Sequence, residues 1–319
     1  MGNGRWAPAT YYDKAADRAR TGADTFAYSK AAIQSGRLRV HQTLDPQGLQ
    51  MRESRDSDEH PNSNAVIISL DVTGSMGKVV RGIHANLPQL HELLLGHKYI
   101  SDPQICFAAV GDATCDQVPL QLGQFESDNR MDENLENMIL EGGGGGQNTE
   151  SYELMLYFAA RHTELDCWQK RQRKGYLFVI GDEMAYGAVS AAQVQRLTGH
   201  RLQADIPLKQ IVDEVQQRYH LYFIIPGGAS HGRDKNILNF WNNAIGAERI
   251  IKLQSPDETS QCIALTIGLN EKTIDLPAAV TQMQKQGLLA KTIQSIHEAL
   301  RSLLGGDANN TGAGRNRRL

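Results

Sequence analysis

Short apolar runs rich in β-branched and aromatic residues alternate along this chain with longer stretches whose apolar positions recur every three or four residues. The first pattern predicts buried strands and the second amphipathic helices. Buried strands are expected over 65–70, 105–110, 176–180, 221–225 and 249–253. The segment 118–125 alternates apolar and polar, and suits an edge strand paired antiparallel with 105–110. Val79, Val80, Ile83, Leu87, Leu90, Leu93 and Leu94 keep helical spacing, and Pro88 inside that run should kink the helix or split it in two. Helices are also expected over 129–140, 151–161, 190–197, 208–218, 235–244 and 257–269, with one long helical segment over 276–304. The basic stretch 168–174 reads as a solvated connector.

Strands alternating with helices predict an α/β fold. The expected architecture is a doubly wound, mostly parallel six-stranded sheet with one antiparallel edge strand. Residues 64–270 form this domain. Residues 1–63 precede it as a polar, largely irregular extension and linker, with a helix over 23–35 and a strand over 38–44. Tyr11, Tyr12, Phe26 and Tyr28 in it are expected to pack on the main domain. Residues 271–304 form a C-terminal helical extension, and the Gly/Asn/Arg-rich stretch 305–319 is expected to be disordered.

The candidate chemistry gathers where strands end. The run 65–70 leads into Asp71-Val72-Thr73-Gly74-Ser75-Met76-Gly77. An acid at the C-terminal end of a parallel strand sits where open α/β sheets bind ligands. Asp71, Thr73 and Ser75 alternate, so three oxygens can aim at one point. Hard oxygen donors suit Mg²⁺ or Mn²⁺. Two further loops carry oxygen ligands. One is five glycines, 142–146, followed by Gln147-Asn148-Thr149; the other is Gly181-Asp182-Glu183 after the strand 176–180. Each residue taken alone has an ordinary use as a turn former or helix cap. Asp112 and Asp116, after the second strand, are placed to form an outer shell of such a site, but turn roles are the favoured reading for both.

The Asp71-x-Thr73-x-Ser75 motif, set between an apolar strand and a helix, resembles the metal-ion-dependent adhesion site (MIDAS) of von Willebrand factor A (VWA) domains, of the intracellular prokaryotic type. The three-loop order is also similar. The resemblance implies a VWA fold over 64–270 and a site for Mg²⁺ or Mn²⁺. It makes Thr73 and Ser75 direct hydroxyl ligands, with Asp71 and Asp182 binding directly or through water. Thr149 takes the second-loop position, with Gln147 or Asn148 as the alternative donors. It further implies a protein-binding module or adaptor, not an enzyme, that captures an acidic residue of a partner through the cation. Bacterial relatives of this kind commonly work in multi-protein assemblies with AAA+ ATPases.

A second resemblance keeps another reading open. Asp71 to Ser75 is similar to the Asp-x-x-Gly-Thr/Ser segment of haloacid-dehalogenase-type phosphohydrolases, in which Asp71 would be the nucleophile. That chemistry wants a lysine beside the phosphate and a later acid near Gly181-Asp182; Lys174 and Glu183 are poorly spaced for those roles.

Bulk properties narrow the rest. A formal net charge of -3 argues against general nucleic-acid binding. No apolar run has the length of a membrane span, and Met1 to Trp6 lacks the apolar core of a secretory signal. Cys106, Cys115, Cys167 and Cys262 form no C-x-x-C pair, so zinc is not expected. A cytoplasmic protein with reduced thiols is the expectation. His84 and His91 share a helix face and are expected to make helix-face contacts or be solvated rather than bind zinc.

Overall fold

The structure, a computed structural model, describes residues 4–48, 51–142, 146 and 148–304; Gln147, the side chain of Ser75 and the stretch 305–319 lie outside the described residues. Six strands form its main sheet: β1 Asn64–Asp71, β2 Pro103–Val110, β3 Leu120–Leu122, β4 Gly175–Ile180, β5 Tyr219–Ile225 and β6 Ile250–Lys252. They lie in the order β6-β5-β4-β1-β2-β3. All neighbours are parallel except β2 and β3. The α/β sheet with one antiparallel edge strand is thus the observed architecture.

Helices number α1 to α13 in chain order: α1 Pro8–Thr21, α2 Ala27–Ser35, α3 Gly77–Ala85, α4 Leu87–His91, α5 Arg130–Glu136, α6 Tyr152–Arg161, α7 Asp166–Arg171, α8 Ala191–Thr198, α9 Leu208–Arg218, α10 Lys235–Ile245, α11 Thr259–Asn270, α12 Leu276–Lys285 and α13 Ala290–Leu304. Alternate residues of β1 feed two separate cores, because successive side chains of a strand point to opposite faces. Val66, Ile68 and Leu70 meet α3, α4, α11, α12 and α13 on one face. Ala65 and Ile67 meet α6, α9 and α10 on the other. Every residue of β1 is buried, which explains its near-continuous apolar run.

Strand order reverses between β1 and β4. From β1 the chain winds outward through β2 and β3; from β4 it winds the opposite way through β5 and β6. The carboxyl ends of β1 and β4 therefore flank the crevice where such sheets hold ligands. Leu70 pairs with Ile180, so Asp71 and Gly181 leave the sheet side by side.

Several expected boundaries move for identifiable reasons. Pro88 does split its helix: α3 stops at Ala85, Asn86 Nδ2 donates to Gly82 O at 2.9 Å, and α4 starts with Pro88 in its first turn. The long 276–304 segment is two helices separated near Gly287, whose φ of +75° a side chain would resist. The second of them packs on the domain, with Ile296 and Leu300 fully buried.

Residues 4–63 are not irregular. Pro8 opens α1, and Tyr11 and Phe26 join the main core, although Tyr12 stays exposed. Residues 38–44 form no strand. Leu44 instead buries its side chain and accepts one bond, from Leu122 N at 2.7 Å, while Arg52 donates to Leu122 O at 2.7 Å. Both contacts cover the edge strand β3, a device that blunts strand-to-strand association. The only strand in this extension among the described residues is Arg52–Ser54, parallel to Thr163–Leu165. The basic connector is helical over 168–171, in α7, and an exposed loop after it; Arg171 reaches Asp56 at 2.8 Å and ties the linker down.

Candidate functional site

β1 delivers Asp71 to the carboxyl edge of the sheet at 1% exposure. Asp71 Oδ1 accepts the Thr73 N–H at 2.8 Å and the Thr73 hydroxyl at 2.6 Å. Asp71 Oδ2 accepts the Tyr152 hydroxyl at 2.7 Å. Tyr152 opens α6, and its ring reaches Asp71 across Gly181, where a Cβ would collide with the phenol. Gly74 then takes φ +45°, and a short 3-10 turn, Gly74–Met76, leads into α3.

Burial pushes the Asp71 carboxyl up to about 7; the bonds from Thr73 and Tyr152 pull it down, and the charge of Asp182 pushes it up further. Thr73 gives its only proton to Asp71, so its oxygen can otherwise only accept, which is the role a cation demands.

The other arms converge on the same edge. Thr149–Glu150 pairs in parallel with Met184–Ala185, and Met184 N donates to Asn148 O at 3.0 Å. The polyglycine loop and the loop after β4 are therefore hydrogen-bonded to each other. Gly142 N donates to Val72 O at 3.4 Å, which joins the polyglycine loop to the first arm as well. Thr149 is half-buried and Asn148 adopts φ +56°. Asp182 is 3% exposed and its Oδ2 accepts the His231 N–H at 2.7 Å. Thus Asp71, Thr73 and Asp182 come together at the crevice, with the Thr149 arm paired alongside. Ser75 has its backbone in the turn that follows.

Sequence reasoning missed Tyr152, Glu150 and Glu153 around this group and gave Glu183 no part in binding the cation. Glu150 is buried, its Oε2 has no hydrogen-bond partner among the described residues, and burial with the charges of Asp71, Glu183, Asp116 and Asp112 raises it to about 10. Glu183 rises to about 7, through burial and then Asp182, Asp112 and Asp116. Glu153 rises to about 8, chiefly through burial; its Oε2 accepts the Tyr186 N–H at 3.1 Å. Among the described residues no lysine or arginine pairs with Asp71, Glu150 or Asp182, and His231 Nε2 stands 3.9 Å from Glu183.

Carboxyl groups crowded together, their ionised forms disfavoured by burial and by one another, are a setting in which a divalent cation favours ionisation. Among the described residues no three His, Cys, Asp or Glu side chains are arranged to hold a metal. A hard cation at this edge would meet a mixed set of oxygens instead: the carboxylates of Asp71 and Asp182 and the Thr73 hydroxyl.

No family model matches the chain, and no curated protein matches it. Some solved structures align with parts of it. Proximal thread matrix protein 1 from the mussel byssus is 10% identical with a TM-score of 0.40, over 71% of this chain and 47% of that one. The pilus adhesin SpaC from Lactobacillus rhamnosus GG, in its open conformation, is 8% identical with a TM-score of 0.43, over 68% of this chain and 31% of that one. The chain thus spans about half the length of the mussel protein and about a third of the adhesin.

The remaining candidates have structural roles. Asp112 Oδ1 accepts the Thr114 N–H at 2.8 Å, and Asp116 Oδ2 accepts the Asp112 N–H at 2.7 Å, so both shape the turn after β2. His84 Nε2 lies 3.1 Å from Glu136. His91 stacks on Trp6 at 4.5 Å, and burial lowers it to about 4. Cys106, Cys167 and Cys262 are buried thiols. Among the described residues no helix is long and apolar enough to cross a membrane.

Proposed function

We propose that residues 64–270 are a VWA-type domain whose MIDAS holds Mg²⁺ or Mn²⁺, and that the protein is a binding module rather than an enzyme. The observation that carries the reading is the juxtaposition of Asp71 and Asp182 at the switch point, with the Thr73 hydroxyl proton committed to Asp71. Thr73 and Ser75 supply direct hydroxyl ligands, and Asp71 and Asp182 bind directly or through water. Thr149, or Gln147 or Asn148 in its place, supplies the second-loop donor.

Bound there, the cation offers a hard Lewis-acid centre with a position left for an anionic oxygen. This chain's residues do the rest. Tyr152 and Thr73 lock the Asp71 carboxylate, and the His231 amide locks Asp182. The completing ligand is an Asp or Glu of a protein partner. The resemblance extends the proposal to a cytoplasmic, bacterial assembly, with an AAA+ ATPase as the candidate partner, and without nucleic acid or membrane.

Calorimetry tests the reading. The parent binds Mg²⁺ and Asp71→Ala does not, while both give the same far-ultraviolet dichroism. Equal binding by the two would defeat the assignment.

The phosphohydrolase reading fits the geometry less well. A nucleophilic Asp71 must be reached by the substrate phosphorus, and its side chain is buried at 1% exposure. Lys174 donates to Gln216 O, at the opposite end of β4 from Asp182. Turnover of p-nitrophenyl phosphate with Mg²⁺ that disappears in Asp71→Asn would restore that reading.

A further inference from the structure

Next to Asp182 the chain turns through Pro226-Gly227-Gly228-Ala229-Ser230-His231-Gly232-Arg233, the loop between β5 and α10. The His231 N–H bond to Asp182 ties this loop to the candidate cation site. Its other side lies on the segment after β6. Leu253 N donates to Ile225 O at 3.0 Å, and a Cβ on Gly227 would collide with the Gln254 backbone. Between loop and segment is a polar cavity of about 360 Å³, lined by Gly227, Gly228, Arg233, Lys252 and Gln254 among others.

Two cations border it. Arg233 and Lys252 are exposed, and among the described residues neither has an ion-pair or hydrogen-bond partner. The N–H groups of Gly227 and Gly228 likewise have no acceptor among the described residues. Gly228 holds φ +81°, a conformation that belongs to anion-binding backbone turns. The edge of the sheet therefore changes sign within a few residues, from the carboxylates around Asp182 to an unpartnered cationic hollow.

We propose that this hollow holds a second carboxylate of the same acidic peptide whose first carboxylate completes the cation at Asp71 and Asp182. The proposal rests on the metal-dependent reading above and specifies the partner: a segment with two acidic residues, one for the cation and one for Arg233 and Lys252. A single acid would leave the hollow unfilled. An isolated anion would fill the hollow but not reach the cation. Charge complementarity across both subsites would fix the direction in which the peptide lies.

Fluorescence anisotropy of labelled hexaglutamate against the full chain tests this, with Mg²⁺ affinity measured separately by calorimetry. Expected is a loss of about tenfold in hexaglutamate affinity in Arg233→Gln/Lys252→Gln, with Mg²⁺ affinity unchanged. Hexaglutamate binding equal to the parent's overturns the proposal. So does displacement of the peptide by inorganic phosphate at concentrations where acetate has no effect, which would make the hollow a phosphate site. If the parent binds no Mg²⁺, the cation reading fails by itself. The chelator-resistant binding then decides the hollow: its loss in the double variant upholds the anion subsite, and its persistence overturns it.

Discussion

Two loops at the carboxyl edge of the sheet begin with the same local move. After β1, Asp71 accepts the amide and the hydroxyl of Thr73; after β2, Asp112 accepts the amide and the hydroxyl of Thr114. Each carboxylate also receives a phenol, from Tyr152 and Tyr186 respectively. The loops then diverge. The loop after β2 closes on itself, because Asp116 turns back onto the Asp112 amide. The loop after β1 stays open toward β4, where the chain reverses direction and Asp182 emerges. An Asp-x-Thr turn is therefore a way to brace a carboxylate, and only the one after β1 places its carboxylate at the switch point, which the proposed function makes the ligand site.

That comparison predicts unequal consequences for matched substitutions. Asp71→Ala should weaken Mg²⁺ binding by more than about a hundredfold, and Asp112→Ala by no more than about threefold, in parallel calorimetric titrations. Similar losses would erase the distinction between the loops. Next in size is the phenol pair. Tyr152→Phe removes the donor to buried Asp71 and should destabilise the fold by about 1–3 kcal/mol in urea titration. Tyr186 is half-buried, so Tyr186→Phe should cost less than about 1 kcal/mol.

A pH effect follows with a definite sign. Asp71 sits at about 7 when folded against 3.8 when unfolded, so between those values the folded chain holds the extra proton. Its contribution to stability is present at low pH and is lost as pH rises through 7. Without metal, the melting-temperature advantage of Asp71→Asn over the parent should grow from about pH 4 to about pH 7 and then level off. Saturating Mg²⁺ should reverse the order by stabilising only the parent. An advantage that shrinks as pH rises would contradict the buried carboxyl as described. The smallest effect is expected at Thr149→Ala, a several-fold drop in Mg²⁺ affinity; no change would pass the second-loop role to Gln147 or Asn148.

Much of this arrangement was legible from local pattern. Continuous apolar runs found β1, β2, β4 and β5 because both faces of each are buried, and Asp71 and Asp182 were found because they end such runs. Pro88 marked a real break. What escaped depends on contacts distant in sequence. Tyr152 braces Asp71 from 81 residues away, and nothing in either local stretch announces it. Glu150 directly precedes the helix expected over 151–161 and nothing local marks it, yet it is buried beside four other carboxylates. The extension misled for a related reason. α1 is polar except for the few residues, such as Tyr11, that dock on the domain, and the 38–44 segment serves as an edge cover through a single backbone bond from Leu122 to Leu44.

The most direct test is an anomalous difference map from a crystal grown with Mn²⁺. The account predicts one strong peak in the crevice between β1 and β4, within coordination reach of Thr73 and Ser75 and of Asp71 and Asp182 directly or through water. A map with no peak there, or with its peak at the turn of Asp112 and Asp116 instead, would contradict it.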